Sequence, residues 1–186
     1  MLFAEGVSYL QPYSLAVIII LFFNAFDRWL WRIPPVARSL HYPVLWGTWK
    51  SQLKSSWIDH STGQGVELID VLLVIRQTYS TVSMRLMTKE SSSRSLVAPL
   101  EAPSDDVARI SSTYQNIPGL LIQGRSRIHH GSLMLEVHGS PVNRLTGSYW
   151  TDRDTKGALL LESRLPKVCT NFEEASEAMW VASGSS

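Results

Sequence analysis

Hydrophobic and polar positions divide the chain into two unlike parts. Residues 15–23 form an unbroken apolar run, LAVIIILFF, with no polar face. From residue 47 onward the pattern changes to alternation with a period of two, the period of a half-buried β-strand. Eight such runs follow, at 47–54, 68–77, 81–88, 94–100, 107–116, 128–138, 144–151 and 156–163. In the first, Trp49, Ser51 and Leu53 share one face, while Thr48, Lys50, Gln52 and Lys54 share the other. In the third, Val82, Met84 and Leu86 oppose Thr81, Ser83 and Arg85; in the sixth, Leu133, Leu135 and Val137 oppose Ser132, Met134 and Glu136. Leu145, Gly147 and Tyr149, then Gly157, Leu159 and Leu161, are the inner sets of the last two runs.

Turn chemistry separates the runs. The segments 59–63, 102–106 and 152–155 read as short connections, and 117–127 is a longer one with Pro118, Gly119 and Gly124. No helix of core length is expected between residues 47 and 163. Eight consecutive strands with short links predict a mainly β fold, an eight-stranded up-and-down antiparallel β-barrel, which removes exposed sheet edges. A β-sandwich is the alternative. A barrel of this size is either filled by side chains or holds one small ligand. Val71-Leu72-Leu73-Val74-Ile75 is apolar on both faces, so its outer face is expected to be covered by the anchor, the tail or another subunit. In the tail, Asn171-Phe172-Glu173-Glu174 resembles a helix start with a capping-box Glu, and Phe172, Ala175 and Met179 share a face.

The amino-terminal run reads as an N-terminal transmembrane helix. Residues 7–26 supply the ~20 mostly apolar positions a span needs, with Ser8, Gln11, Pro12, Ser14 and Asn24 included. Tyr9 and Tyr13 before the run, and Trp29 and Trp31 after it, suit the interfacial aromatic belts. Arg28, Arg32 and Arg38 follow the run and no Lys or Arg precedes it, which puts the remaining chain in the cytoplasm. A signal peptide would want a basic n-region and a small-residue cleavage site, and a core helix would want a polar face. Pro34, Pro35 and Pro43 predict a stiff, extended lead-in over 33–43. The expected domains are therefore a transmembrane anchor at 1–32, a proline-rich lead-in at 33–45, a β-barrel at 46–164 and a short helix or disordered tail at 165–186.

Composition narrows the function. The chain has 186 residues, with 17 basic and 16 acidic side chains and a net charge of +1. That balance argues against a protein that coats polymeric nucleic acid, and leaves room for a small anion held by a few specific cations. Cys169 is the single cysteine, so no intramolecular disulfide forms; this fits a reducing compartment.

Catalytic signatures are missing. There is no G-x-S-x-G elbow, no phosphate-binding Walker loop and no G-x-G-x-x-G. His129, His130 and His138 are the nearest approach to a metal cluster, but strand neighbours point to opposite faces, so no metal is expected. Cys169 lacks an activating neighbour in sequence, and Asp152 with Asp154 reads as a solvated turn. A non-enzyme without cofactors is expected; a membrane-bound hydrolase is the minor alternative.

What the chain does offer is phosphate chemistry. Arg76-Gln77-Thr78-Tyr79-Ser80-Thr81 and Thr88-Lys89-Glu90-Ser91-Ser92-Ser93-Arg94-Ser95 place cations, hydroxyls and turn amides at strand ends. Tyr79, Tyr114, Tyr149 and Trp150 could stack on a base.

Several segments, taken in order, resemble a family. These are Trp46-Gly47-Thr48-Trp49, Leu53-Lys54-Ser55-Ser56-Trp57, Val74-Ile75-Arg76-Gln77-Thr78-Tyr79-Ser80, Thr88-Lys89-Glu90-Ser91-Ser92-Ser93-Arg94, Tyr114-Gln115-Asn116-Ile117-Pro118, His130-Gly131 and Leu145-Thr146-Gly147-Ser148-Tyr149-Trp150-Thr151-Asp152-Arg153. The series, spanning 27–163, resembles the membrane-anchored β-barrel effectors of bacterial CBASS antiphage defence, the SMODS-associating proteins with two transmembrane helices and a β-strand-rich domain. The resemblance implies a bacterial inner-membrane protein with its barrel in the cytoplasm. A partner cyclase makes a cyclic dinucleotide or oligonucleotide, the barrel binds it, the effector self-associates, and the membrane is disrupted in an abortive infection. The family has two membrane helices where this chain shows one. For such a ligand, Arg76, Lys89, Arg94 and Arg153 are the candidate phosphate contacts. Tyr79, Tyr114 and Tyr149 are candidates for stacking, and Thr78, Ser91, Ser92 and Thr151 for hydrogen bonds. The competing reading is a membrane-tethered lipocalin-like barrel for an apolar ligand, lined by Trp49, Leu53, Met84, Leu135 and Leu159 with no inward cation.

Overall fold

Among the described residues, nine strands form one antiparallel sheet: β1 Gly47–Ser55, β2 Ile69–Gln77, β3 Val82–Met87, β4 Ser91–Val97, β5 Leu100–Glu101, β6 Arg109–Pro118, β7 His129–His138, β8 Arg144–Thr151 and β9 Lys156–Leu165. Their spatial order is β4-β3-β2-β1-β9-β8-β7-β6-β5, and β4 also pairs with β6. All strands except the two-residue β5 therefore close into a ring, the up-and-down barrel that the alternation predicts. The structure is a computed structural model that describes residues 4–58, 63–65, 68–101, 107–124 and 126–184, with backbone only at 4–13 and 180–184. The expected turns at 59–63 and 102–106 fall largely outside these residues. Strand β4 begins at Ser91 rather than Arg94, because Ser91, Ser92 and Ser93 find partners in Pro118, Ile117 and Asn116 of β6.

The chain divides into a helical unit, Met1–Tyr42 with Thr78–Ser80, and a barrel unit, Pro43–Gln77 with Thr81–Ser186. Inside the barrel unit, Trp49, Leu73, Ile75, Ile110, Leu135, Leu145 and Leu161 are fully buried in one core cluster. The interior is sealed at the end where β2 finishes. Leu45 joins the cluster there; its N–H donates to Gln77 Oε1 at 2.7 Å, and Gln77 Nε2 donates to the Pro43 carbonyl at 2.9 Å. Trp49 Nε1 donates to the Leu45 carbonyl at 2.9 Å, so the indole is buried with its polar atom satisfied.

A second cluster explains why β2 is apolar on both faces. Leu72 and Val74 of β2 and Met87 of β3 pack outside the barrel against Cys169, Ala175 and Met179. Helix α3, Phe172–Gly184, supplies this cover, so the tail covers the strand. Its start is held by Glu174 N–H donating to Asn171 Oδ1 at 2.7 Å. The Glu174 carboxylate reaches one residue beyond the expected capping box, accepting from Thr170 N–H and Thr170 Oγ1, each at 2.8 Å.

In the helical unit, α1 spans Ala4–Arg28 and α2 spans Pro34–Leu40. The expectation of an extended lead-in over 33–43 is corrected here. Pro34 and Pro35 occupy the first helical turn, where the missing N–H groups would have no intrahelical partner, and His41 ends the helix in the left-handed conformation. Trp31, expected at a membrane interface, is instead fully buried, with Tyr42 at 5.4 Å and Tyr79 at 6.3 Å between ring centroids. Asp27 holds the Thr78–Ser80 link, its carbonyl accepting from Tyr79 N–H and its carboxylate from Ser80 N–H, both at 2.9 Å. Along α1, Leu15 and residues 17–23 are each 45–63% exposed. No helix among the described residues is long and apolar enough to cross a membrane.

Candidate functional site

The barrel is filled at one end and hollow at the other. A cavity of 680 Å³ opens where β1, β3, β6 and β8 finish and β2, β4, β7 and β9 begin. That volume lies within the roughly 300–1,000 Å³ typical of small-molecule pockets.

Its wall has two chemical halves. Leu53 of β1 and Leu159 of β9 are direct cross-strand partners and form an apolar side, flanked by Leu73, Met84 and Leu133. On the opposite side of the ring, β4 and β6 contribute Ser91, Ser93, Ser95, Ser112, Tyr114 and Asn116. This polar stripe follows from strand period: every second residue of Ser91-Ser92-Ser93-Arg94-Ser95 faces inward, and its β6 partners continue it. Ser93 Oγ donates to Asn116 Oδ1 at 2.8 Å, and Ser95 Oγ accepts from Met84 N–H at 2.8 Å.

Two tyrosines bridge the halves. Tyr149 lies over Gly157 and donates its hydroxyl to Ser55 Oγ at 2.8 Å. Tyr114 lies over Gly131 in the same way. Burial raises both phenols above their ordinary value, so each remains a neutral hydroxyl.

The cations stand at the rim. Arg153, in the β8–β9 turn, donates from Nη2 to the Arg127 carbonyl at 2.6 Å and from Nη1 to Ser126 Oγ at 3.2 Å. Those bonds fix the guanidinium at the mouth and leave its other N–H groups for an anion. Lys89, in the β3–β4 turn, is exposed on the same rim, beside Glu90. Thr151 and Thr155 close the β8–β9 turn through a 2.6 Å hydroxyl contact. His129 lines the mouth, and burial, reinforced by the Arg153 charge, lowers its pKa.

The structure thus brings Lys89, Ser91, Tyr114, Tyr149, Thr151 and Arg153 together around one cavity. Five other candidates lie elsewhere. Arg76 is exposed on the outer face at the sealed end of β2, because its neighbours Ile75 and Gln77 point inward. Arg94 and Ser92 also face outward, the latter accepting from Arg85 Nε at 2.9 Å. Thr78 and Tyr79 belong to the helical unit, where Tyr79 packs against Phe26 and Tyr42.

Sequence reasoning passed over Ser93, Ser95, Ser112 and Asn116, although the period of two was the signal that could have found them. Of the apolar lining expected for a lipocalin-like barrel, Leu53, Met84 and Leu159 reach the cavity, whereas Trp49 and Leu135 fill the core. His129 and His138 stand at opposite ends of β7, and His130 turns outward to Gln115. Among the described residues, no group of His, Cys, Asp and Glu could hold a metal ion. Asp152 is occupied by the backbone N–H of His130, at 3.0 Å.

No curated protein matches the chain. Residues 40–163 match the family profile of the Cap15 cyclic dinucleotide receptor domain. The matched region takes in the whole cavity, and the chain belongs to that family.

Proposed function

We propose that this protein is the sensor of a CBASS antiphage effector and that the barrel cavity receives a cyclic dinucleotide. One observation carries the reading: a hollow barrel end with hydroxyls and tyrosines along its wall and with Arg153 and Lys89 at its rim. A cyclic dinucleotide carries two phosphates, which suit the rim cations, and two bases, whose faces suit the apolar wall and whose edges suit the hydroxyls. Family membership supports the same ligand class. A partner cyclase supplies the ligand, and the barrel performs no chemistry on it.

The exposed apolar stretch of α1 supports a finer reading. Its side chains at 17–23 are uncovered all round the helix, which suits insertion into the inner membrane with the barrel in the cytoplasm. Ligand binding then drives self-association, and the gathered helices disrupt the bilayer.

Calorimetric titration of the full chain with cyclic di-AMP, cyclic di-GMP, cyclic GMP-AMP and cyclic UMP-AMP tests the sensing step. Saturable binding of at least one is expected, with a rise in melting temperature. Absence of binding to all four would overturn it.

A further inference from the structure

One backbone oxygen at the mouth of the cavity holds two side chains. The Arg127 carbonyl accepts from Arg153 Nη2 at 2.6 Å, and His129 Nδ1 lies 3.1 Å from the same residue's carbonyl oxygen. A carbonyl can only accept, so the neutral imidazole carries its proton on Nδ1 and leaves Nε2 as a bare lone pair. Nε2 makes no hydrogen bond among the described residues. The period of two sets where the ring goes. His129, Gly131 and Leu133 share the inward face of β7, whereas His130 turns outward to Gln115. The imidazole is therefore half-buried on the cavity wall, fixed beside the Arg153 guanidinium.

Among the described residues, the charged groups around this ring come from several elements. The β8–β9 turn brings Arg153 and Asp152. Asp152 is turned to the next residue, accepting from His130 N–H at 3.0 Å and lying 3.8 Å from His130 Nδ1. Arg127, just before β7, is exposed. On β6 the direct partner of His129 is Asn116, which carries no charge, and Tyr114 is kept neutral by burial, as is Tyr149 on β8. Lys89 and Glu90 stand in the β3–β4 turn, and Asp70 on β2 lies on the opposite side of the ring of strands. Without an anion at the mouth, burial and the Arg153 charge oppose a second proton, and His129 is held below its ordinary value. An anion on Arg153 reverses that balance. It offsets the neighbouring positive charge and gives a protonated Nε2 an acceptor.

We propose that His129 is a second phosphate contact beside Arg153, and that it takes up a proton as a cyclic dinucleotide binds. This rests on the receptor reading above. The proton comes from solvent and goes to Nε2, which then donates to a non-bridging phosphate oxygen; no covalent bond of the ligand changes. A phosphodiester stays singly charged near neutral pH, so the ligand's own charge is constant. Because binding raises the pKa of His129, the complex tightens as pH falls, and the gain is lost as pH rises through the bound-state value.

Calorimetric titration of the full chain with cyclic di-AMP, cyclic di-GMP, cyclic GMP-AMP and cyclic UMP-AMP, repeated from pH 8.0 down to pH 5.5, tests this. Each ligand that binds is expected to bind roughly tenfold tighter at pH 6 than at pH 8. At pH 6.5 the heat should also change between PIPES and bis-tris buffers, whose ionisation enthalpies differ, in the direction of proton uptake. His129→Gln keeps a polar side chain that cannot ionise and should flatten both dependences. His130→Gln, on the outward face, should leave them as in wild type. If wild type binds with no proton uptake and a flat pH profile, if His129→Gln keeps the wild-type profile, or if His130→Gln abolishes it, the His129 assignment is overturned while the receptor reading stands. If wild type binds none of the four ligands, both fall together.

Discussion

Tyr114 on β6 lies over Gly131, its direct partner on β7, and occupies the space a larger residue would need. A methyl group on Gly131 would fall 2.5 Å from Tyr114 Oη and 2.5 Å from the Trp150 carbonyl. The second of these contacts is with backbone and cannot swing aside. Gly131→Ala should therefore displace the ring into the cavity and destabilise the fold by about 1–3 kcal/mol, the usual cost of overpacking. In a chain of this size each kcal/mol lowers the melting temperature by about 2–4 °C. Gly124→Ala is the control, since nothing lies within 4 Å of its added methyl. Equal melting temperatures for the two variants would show that the Tyr114 ring does not need the glycine.

The rim gives a sharp contrast between two arginines. Arg153 is fixed at the mouth by Arg127 and Ser126, whereas Arg76 is exposed on the outer face at the sealed end. A charge-assisted hydrogen bond to phosphate is worth about 1.5–3 kcal/mol. Arg153→Ala should weaken cyclic dinucleotide binding by roughly 10- to 150-fold, and the loss should shrink as salt rises. Arg76→Ala should leave affinity within twofold of wild type. Calorimetric titration of both variants decides this, and a larger loss at Arg76 would move the site away from the cavity.

The fold was legible because alternation alone determines which side chains face inward. The run around Met84 and Leu86, for example, needed no knowledge of its neighbours. Site residues were harder, because facing and end must both be known. Arg76 and Lys89 look alike in sequence, each a cation beside hydroxyls at a strand end. They separate only when the antiparallel order assigns one to the sealed end of the barrel and the other to the open end. Ser92 and Ser93 are adjacent and identical, yet a period of two turns the first outward to Arg85 and the second inward to Asn116. Thr78 and Tyr79 escaped for another reason. They read as strand-end residues, but their backbone is held by Asp27, far away in sequence.

Helix α3 covers apolar surface that β2 cannot bury alone. Met179 is 7% exposed and Ala175 fully buried against Leu72, Val74 and Met87. Met179→Ala removes most of a buried side chain and should cost about 2 kcal/mol, the low end for such truncations because the site lies at the edge of the molecule and can relax. Ala175→Asp places a carboxylate in the same apolar seam and should cost more. Urea unfolding measures both. If neither variant shifts the midpoint, the helix contributes nothing to the barrel's stability.

Acid should loosen the same helix through one carboxylate. Glu174 accepts from Lys167 Nζ at 2.9 Å and from the Thr170 N–H and hydroxyl, which together lower its pKa from the ordinary 4.5 to about 2. A carboxylate with a depressed folded-state pKa stabilises the fold above its unfolded value. The contribution is therefore complete above pH 4.5 and is lost as pH falls towards 2. Lys167 is raised by the same partner and stays charged throughout that window, so the titration belongs to Glu174 alone. Glu174→Gln keeps the size of the side chain and removes its charge. The variant should be less stable than wild type at pH 7, and the two should converge by pH 2. Because the pair is exposed to solvent, salt should narrow the difference at pH 7. Parallel stability curves for wild type and variant from pH 7 down to pH 2 would show that the carboxylate titrates as an ordinary surface group.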